Sequence, residues 1–345
     1  MLSLQDLDYN EIKELIKELG QPSFRADQVF DMAMKDKDYA EVTNLPKSLI
    51  AGLAERYRAR AVEVIAEYRS RDGSVKYLYR LFDGNIVEGV FMPHDYGNTV
   101  CISTQVGCRM GCAFCASGIG GLARNLTAGE MLGQVLAANR LNGGTPKKRT
   151  VTNIVLMGSG EPLDNYENVI KFIKAVSFGK GINISQRNIS LSTVGLADRI
   201  RQLADDGLNI ILTISLHAPT DEKRNALIPM NRKYPIKDII GAARYYFEKT
   251  GRRIIFEYTL AEGKNSDAES AEELSCLLKG LNCHVNLIKL NYVKEKGLKS
   301  ANDDSVKEFL SILQKNKISA TLRRSMGQDI EGACGQLRRK YLGES

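Results

Sequence analysis

The chain has 345 residues, 43% of them hydrophobic, and a formal net charge of +7 with a pI of about 8.9. That suffices for one large core plus a smaller unit, and no apolar run approaches the roughly 18 residues of a helical membrane span. The acidic start Met-Leu-Ser-Leu-Gln-Asp-Leu-Asp lacks a signal-peptide pattern, and an odd count of seven cysteines does not make a secreted disulfide framework, so a reducing cytoplasm is expected.

Residues 1–60 read as helical. Leu7, Ile12, Leu15, Ile16 and Leu19 lie near helical spacing until Gly20-Gln21-Pro22 stops the run. Ser23 is placed to cap a second helix from Phe24 to Met34, and Leu45-Pro46 introduces a third through Leu49, Leu53 and Tyr57. From Val62 to Pro93 the period becomes two, with turn signals at Asp72-Gly73 and Asp83-Gly84. Glu88 stands in the last of these runs, Ile-Val-Glu-Gly-Val-Phe, where the plain expectation is the wet face of a half-buried strand. Beyond Asn98, strands expected at 99–104, 153–157, 188–192, 210–215, 253–259, 284–290 and 318–322 alternate with helices at 128–140, 165–178, 197–206, 236–250, 268–278 and 304–314. This order predicts a mainly parallel sheet with right-handed crossovers. The expected layout is α/β, a partial (open) parallel barrel over residues 96–345, behind a small N-terminal helical accessory domain (1–60) and a short antiparallel β extension (61–95).

Three thiols, Cys108, Cys112 and Cys115, lie in Gly-Cys-Arg-Met-Gly-Cys-Ala-Phe-Cys, while Cys101, Cys276, Cys283 and Cys334 stand alone. Two glycines within the motif favour a wrapping loop over a helix. Three thiolates suit a 4Fe–4S cluster with one iron left open; a structural zinc site is the alternative, though it ordinarily takes a second ligand pair. Gly158-Ser159-Gly160-Glu161-Pro162 follows the second parallel strand. It has neither the Lys-Ser/Thr of a Walker loop nor a dinucleotide fingerprint. Beside a cysteine cluster, its backbone and Glu161 suit an ammonium group, although the stretch also fits an ordinary tight turn. Ser192, Ser215-Leu216-His217, Asn291 and Cys334 likewise follow strand ends, which is where the reactive face of a parallel barrel lies. A lone Cys such as Cys101 or Cys334 is ordinarily small core material, but the glycines flanking Cys334 argue against that. Cys276 and Cys283 fit apolar settings in a helix and a strand, and His217 has the alternative role of satisfying a backbone group. Basic clusters at Lys147-Lys148-Arg149, Arg252-Arg253, Arg323-Arg324 and Arg338-Arg339-Lys340 suit phosphate or solvated helix ends.

Cys-x-x-x-Cys-x-x-Cys after a first barrel strand, with Gly-Glu-Pro after the second, resembles the radical S-adenosylmethionine (SAM) enzymes. Four stretches in order sharpen this: Ser103 to Gly118, Val155 to Asn165, Ile214 to Pro219 and Gly332 to Leu337. Together they resemble the RNA adenine-C2 methyltransferases of that superfamily, over residues 86–340. The resemblance implies that Cys108, Cys112 and Cys115 hold the cluster, and that Gly160, Glu161, Ser192, Ser215, Leu216, His217 and Asn291 contact SAM. It implies that Cys334 carries a methyl group as S-methylcysteine, that a second SAM yields a 5′-deoxyadenosyl radical, that Glu88 accepts the C2 proton, and that Cys101 forms a transient disulfide with Cys334. The implied substrates are adenosine 2503 of 23S rRNA and adenosine 37 of tRNA. A monomer served by an electron donor such as flavodoxin or ferredoxin follows from the same resemblance. Related enzymes methylate C8 of the same rRNA adenosine; Pro162 favours C2. A zinc-stabilised RNA-binding protein is the reading from a different class.

Overall fold

The computed structural model describes residues 1–323, 326–330 and 343. Helix α1 (Tyr9–Glu18) begins where Asp8 accepts hydrogen bonds from the amides of Asn10 and Glu11, with Glu11 completing a capping box. It buries Ile12, Leu15 and Ile16. Helix α2 (Arg25–Met34) starts differently from expectation. Phe24 stands at the N-cap in helical conformation, and Ser23 contributes only its carbonyl, to the Ala26 amide. Helix α3 (Lys47–Ala54) follows Pro46.

Strands β1 (Glu63–Arg69), β2 (Val75–Arg80) and β3 (Ile86–Met92) form the antiparallel meander that the two Asp-Gly turns announced. Next come β4 (Asn98–Cys101), the hairpin β5 (Gln105–Gly107) and β6 (Leu122–Asn125), and α4 (Ala128–Leu141). The alternation continues with β7 (Val151–Leu156), α5 (Tyr166–Val176), β8 (Ile189–Thr193), α6 (Ala197–Asp205), β9 (Ile211–Ser215), α7 (Asp221–Leu227) and α8 (Ile236–Thr250). It ends with β10 (Ile254–Leu260), α9 (Ala268–Leu278), β11 (Cys283–Lys289), α10 (Asp303–Lys315) and β12 (Ala320–Leu322).

One ten-stranded sheet runs β1-β2-β3-β4-β7-β8-β9-β10-β11-β12. β3 meets β4 antiparallel, and every pair from β4 onward is parallel. The parallel strands stand in chain order with no reversal, which is the winding of a barrel and not of a doubly wound sheet. Among the described residues β12 does not pair with β1, so the barrel is open.

Register divides the sheet into two chemistries. Val100, Ile154, Leu156, Leu191, Leu212, Ile214, Phe256, Tyr258, Val285 and Leu287 share one face and join the buried faces of the helices in a single core. Following cross-strand partners, the lumen face carries Glu88, Cys101, Ser190, Ser192, Thr213, Ser215, Glu257, Asn286 and Thr321. Past β12, the Gly327 amide donates to Asp72, and Asp329 accepts from the Ser70 hydroxyl and the Arg71 amide. The chain thus returns from one sheet edge to the β1–β2 turn at the other.

Candidate active site

The cysteine loop spans the gap of the β5–β6 hairpin at the C-terminal ends of the parallel strands. Its shape depends on Gly107, at φ 78°, where a Cβ would lie 2.0 Å from the Gly121 carbonyl oxygen. The Cys108 amide donates to that same carbonyl, and the Ala113 amide to Leu227 at the end of α7. Cys108 is buried; Cys112 and Cys115 are partly exposed. Burial pushes the Cys108 thiol up to about 12 and Cys112 higher still, and each would be raised further by charge on its neighbours. In this pocket the thiols ionise only against a strong local cation.

Three thiols in one loop suit an iron–sulfur cluster, which takes each thiolate on a different iron. Among the described residues no three His, Cys, Asp or Glu side chains are placed to hold a single metal ion. Two buried hydroxyls flank the loop without a hydrogen-bond partner, Thr104 Oγ1 before it and Ser117 Oγ after it. Buried polar atoms are rarely left orphaned, so these two suit a site completed by a bound group.

The Gly-Ser-Gly-Glu-Pro turn closes on the chain itself. The Ser159 carbonyl accepts from the Thr104 and Gln105 amides, and a Cβ at Gly160 would meet Thr104 and Gln105 at 2.7 Å. The glycines therefore permit close backbone packing against the chain after β4. Glu161 is buried, and its carboxylate accepts from the amides of Leu163 (3.0 Å) and Val194 (2.7 Å). Burial raises it to about 7 against those hydrogen bonds. Glu161 thus couples the β7 and β8 loops, with its oxygens already engaged by backbone.

Ser192 Oγ lies 3.4 Å from Ser215 Oγ and 3.5 Å from a Glu257 oxygen. Leu216 is buried, its amide donating to the Glu257 carbonyl. His217 adopts φ 56°, a left-handed conformation uncommon outside glycine. Its Nδ1 accepts from the Thr259 amide, its carbonyl from Asn265, and its ring stands edge-on to Phe114 inside the cysteine motif at 4.8 Å. Burial lowers its pKa to about 3, so the imidazole is neutral with its proton on Nε2. Asn291 is exposed just beyond β11.

Glu88 is not on a wet face. It is 5% exposed in a strand buried along nearly its whole length, and its carboxylate lies 3.0 Å from the Lys76 ammonium. Val90 faces Cys101 across β3 and β4, so Glu88 and Cys101 are diagonal neighbours on the lumen face. Cys334, and with it any pairing to Cys101, lies outside the described residues. Of the remaining cysteines, Cys283 is buried as expected, whereas Cys276 faces outward from α9.

Sequence reasoning passed over several residues. Ser103 donates to the Glu88 carbonyl and accepts from the Ser159 amide. Gln105 accepts from the Glu161 amide and donates to Asn125 and Asp164. The Arg224 guanidinium is fully buried against the carbonyls of Val194, Ser215 and Leu216. Glu257 pairs with Arg323 at 3.1 Å across the lumen. Only the curvature of the sheet and the packing of its loops group them, and periodicity reports neither. Two basic clusters also sit differently from a site-facing grip: Lys147-Lys148-Arg149 and Arg252-Arg253 precede β7 and β10, at the end opposite the cysteine loop. Arg324 and Arg338-Arg339-Lys340 lie outside the described residues.

Among the described residues no helix is long and apolar enough to cross a membrane. Residues 102–274 match the family model of the radical SAM superfamily. The chain is 49% identical to a dual-specificity RNA methyltransferase RlmN of Lachnoclostridium phytofermentans, over 99% of this chain and 95% of that protein. It is 48% identical to the RlmN of Caldanaerobacter subterraneus over the whole of both. The crystal structure of a radical SAM methyltransferase from Sphaerobacter thermophilus superposes with a TM-score of 0.93 at 44% identity, covering 97% of this chain and 99% of that one. A lumen lined with serines, a buried carboxylate–ammonium pair and a three-thiol loop is thus carried by a chain that belongs to the radical SAM superfamily and, within it, to the RlmN family of dual-specificity RNA methyltransferases.

Proposed function

We propose that this chain methylates C2 of adenosine in 23S rRNA and tRNA, using two SAM per turnover through S-methylcysteine at Cys334. The observation that carries the reading is the register placing Glu88 and Cys101 on adjacent strands of one lumen face, below the loop that bears the three thiols. Cys108, Cys112 and Cys115 hold the cluster. Gly160, Glu161, Ser192, Ser215, Leu216, His217 and Asn291 surround SAM. When bound, these cofactors supply one-carbon and radical chemistry, which an electron-poor ring carbon requires. Glu88 accepts the C2 proton. The Cys101 thiolate attacks the Cys334 sulfur: the S–S bond forms as the S–C bond to the one-carbon unit breaks, the electron pair leaves with that carbon, which takes a proton to become the methyl group, and a dithiol reductant resets the disulfide.

RNA reaches the thiol end of the barrel as a splayed or single-stranded adenosine. Phe82, exposed at the β2–β3 tip between Arg58 and Arg124, offers a ring on which a base can stack. The helices of residues 1–60 flank it and complete the RNA-binding surface. The electron donor is a flavodoxin or ferredoxin, and the chain acts as a monomer in the cytoplasm.

Reconstituted enzyme with SAM, a reductant and RNA, followed by nucleoside mass spectrometry against standards, is the test. 2-Methyladenosine is expected; 8-methyladenosine as the product would reject C2 specificity, and absence of any methylated adenosine would reject the reaction. Intact mass with fragment mapping is expected to show one added methyl on Cys334.

A further inference from the structure

Lys76 is 0% exposed, which is rare for a lysine. It lies on β2 with its ammonium 3.0 Å from Glu88 Oε2. Register explains the contact. Lys76 faces Val90 and Leu78 faces Glu88, so Lys76 and Glu88 are diagonal neighbours one step apart on the lumen face. Around them the same face is apolar: Leu78 and Ile86 pack with Ile65, Ala66 and Tyr68 in a small separate cluster. Replacing this pair by apolar side chains would cost a stability-driven core little, because burying two charges is expensive even when they are paired. A charged pair kept in a hydrophobic patch, beside the residue to which proton transfer is assigned, therefore calls for a reason other than packing.

We propose that Lys76 is the positioning residue that holds the Glu88 carboxylate fixed in the lumen, where it is ready to accept the adenine C2 proton; this rests on the reading of Glu88 as proton acceptor. In that step the C2–H bond breaks, its electron pair stays with the carbon adduct, and the proton passes to a Glu88 oxygen. A carboxyl group in this apolar patch without a cation favours its neutral form and cannot accept a proton. The contact of the Lys76 ammonium with Oε2 orients the carboxylate. Among the described residues the other ionisable groups on the face are Glu63 and Tyr68 on β1, Arg80 on β2 and Cys101 on β4, with Glu257, His284 and Arg323 farther round the lumen. Arg80 is exposed and paired with Glu63, and Glu257 and Arg323 pair with each other, whereas the Lys76 ammonium lies against Glu88.

The test compares K76M, K76R and E88Q in reconstituted holoenzyme, reading 2-methyladenosine formation against pH. In K76M the acid limb is expected to move up by about two pH units, with the lost rate recovering under alkaline conditions. K76R is expected to keep the wild-type limb. A wild-type limb in K76M, with or without a uniform loss of rate, overturns the inference. Should K76M fail to fold, the infrared difference between wild type and E88Q at neutral pH decides. A carboxylate band lost on substitution supports the inference, and a protonated carboxyl band overturns it. E88Q separates the two readings: it is expected to abolish product while still acquiring the methyl increment on the chain. Turnover by E88Q would reject Glu88 as the base itself, whatever K76M shows.

Discussion

His217 combines a left-handed backbone with full burial, and three backbone-directed hydrogen bonds hold it there. Its folded pKa is about 3 against an ordinary 6.5. Below 6.5 the unfolded chain therefore binds a proton that the folded chain refuses, and stability is lost as pH falls from 6.5 toward 3, by up to about 5 kcal/mol. Glu161 acts in the opposite sense. Raised from 4.5 to about 7, it binds its proton more tightly when folded, so stability falls as pH rises through that window. Between pH 4.5 and 6.5 the two nearly cancel. In cluster-free protein, H217Q is expected to unmask the Glu161 slope, gaining about 2 kcal/mol relative to wild type between pH 6.5 and pH 5; urea midpoints at the two pH values check this. Arg224 offers a second test. R224M strands the Val194, Ser215 and Leu216 carbonyls that the guanidinium satisfies. A loss of about 3 kcal/mol is expected from denaturant midpoints. His217 was legible as the last polar residue of an apolar strand. Arg224, Lys76 and Glu257 were not, because a single charge in an alternating or helical pattern reads as a solvent-facing position until a curved sheet encloses it.

Among the elements, those with sustained periodicity were readable: α8 and α9 run over the expected residues, and each parallel strand falls within a few residues of its expected span. What escaped is short. The β5–β6 hairpin has three and four residues, and α7 has seven. Their form comes from tertiary contacts and not from an apolar period. Yet this hairpin frames the thiols, and it depends on Gly107. A methyl group there would collide with the Gly121 carbonyl at 2.0 Å, and φ 78° already disfavours any side chain. G107A is expected to push the hairpin strands apart and displace Cys108, whose amide bonds to that same carbonyl. The variant is expected to fold, because the ten-stranded sheet does not include the hairpin, but to retain less than about half the iron of wild type on reconstitution, since a cluster needs all three thiolates. Iron content per folded chain is the measurement; wild-type iron in G107A would show that the hairpin does not set the loop.

At the scale of the whole molecule, the helices of residues 1–60 are built into the barrel and are not tethered beside it. Tyr9 and Phe30 pack with Phe178, which follows α5, at ring separations of 6.1 and 5.9 Å. The Asp6 carboxylate caps the Gly129 amide at the start of α4, and a Cβ at Gly129 would strike that carboxylate. Gly133, one turn on, faces Gln5, Ala61 and Val62, which a Cβ would meet at 3.0, 3.2 and 3.3 Å. Asp36, buried and pushed upward by burial, is held by Arg140 at 3.0 Å and by Gln5. α4 is consequently buried along most of its length, covered on one side by α5 and on another by the N-terminal segment. Removing residues 1–60 would uncover that side, leave Arg140 without Asp36, and expose apolar side chains worth about 1.5–3 kcal/mol each. A few such losses are comparable to the roughly 5–15 kcal/mol that holds a domain together. A chain beginning at Ala61 is therefore expected to aggregate, and the full chain to unfold in one calorimetric transition. A soluble, cluster-binding truncation with its own transition would refute this. Dissecting RNA binding from chemistry accordingly calls for surface substitutions such as F82A, which removes an exposed ring without touching the shared core. F82A is expected to raise the KM for RNA several-fold with kcat nearly unchanged, as loss of one base stacked on an aromatic ring requires.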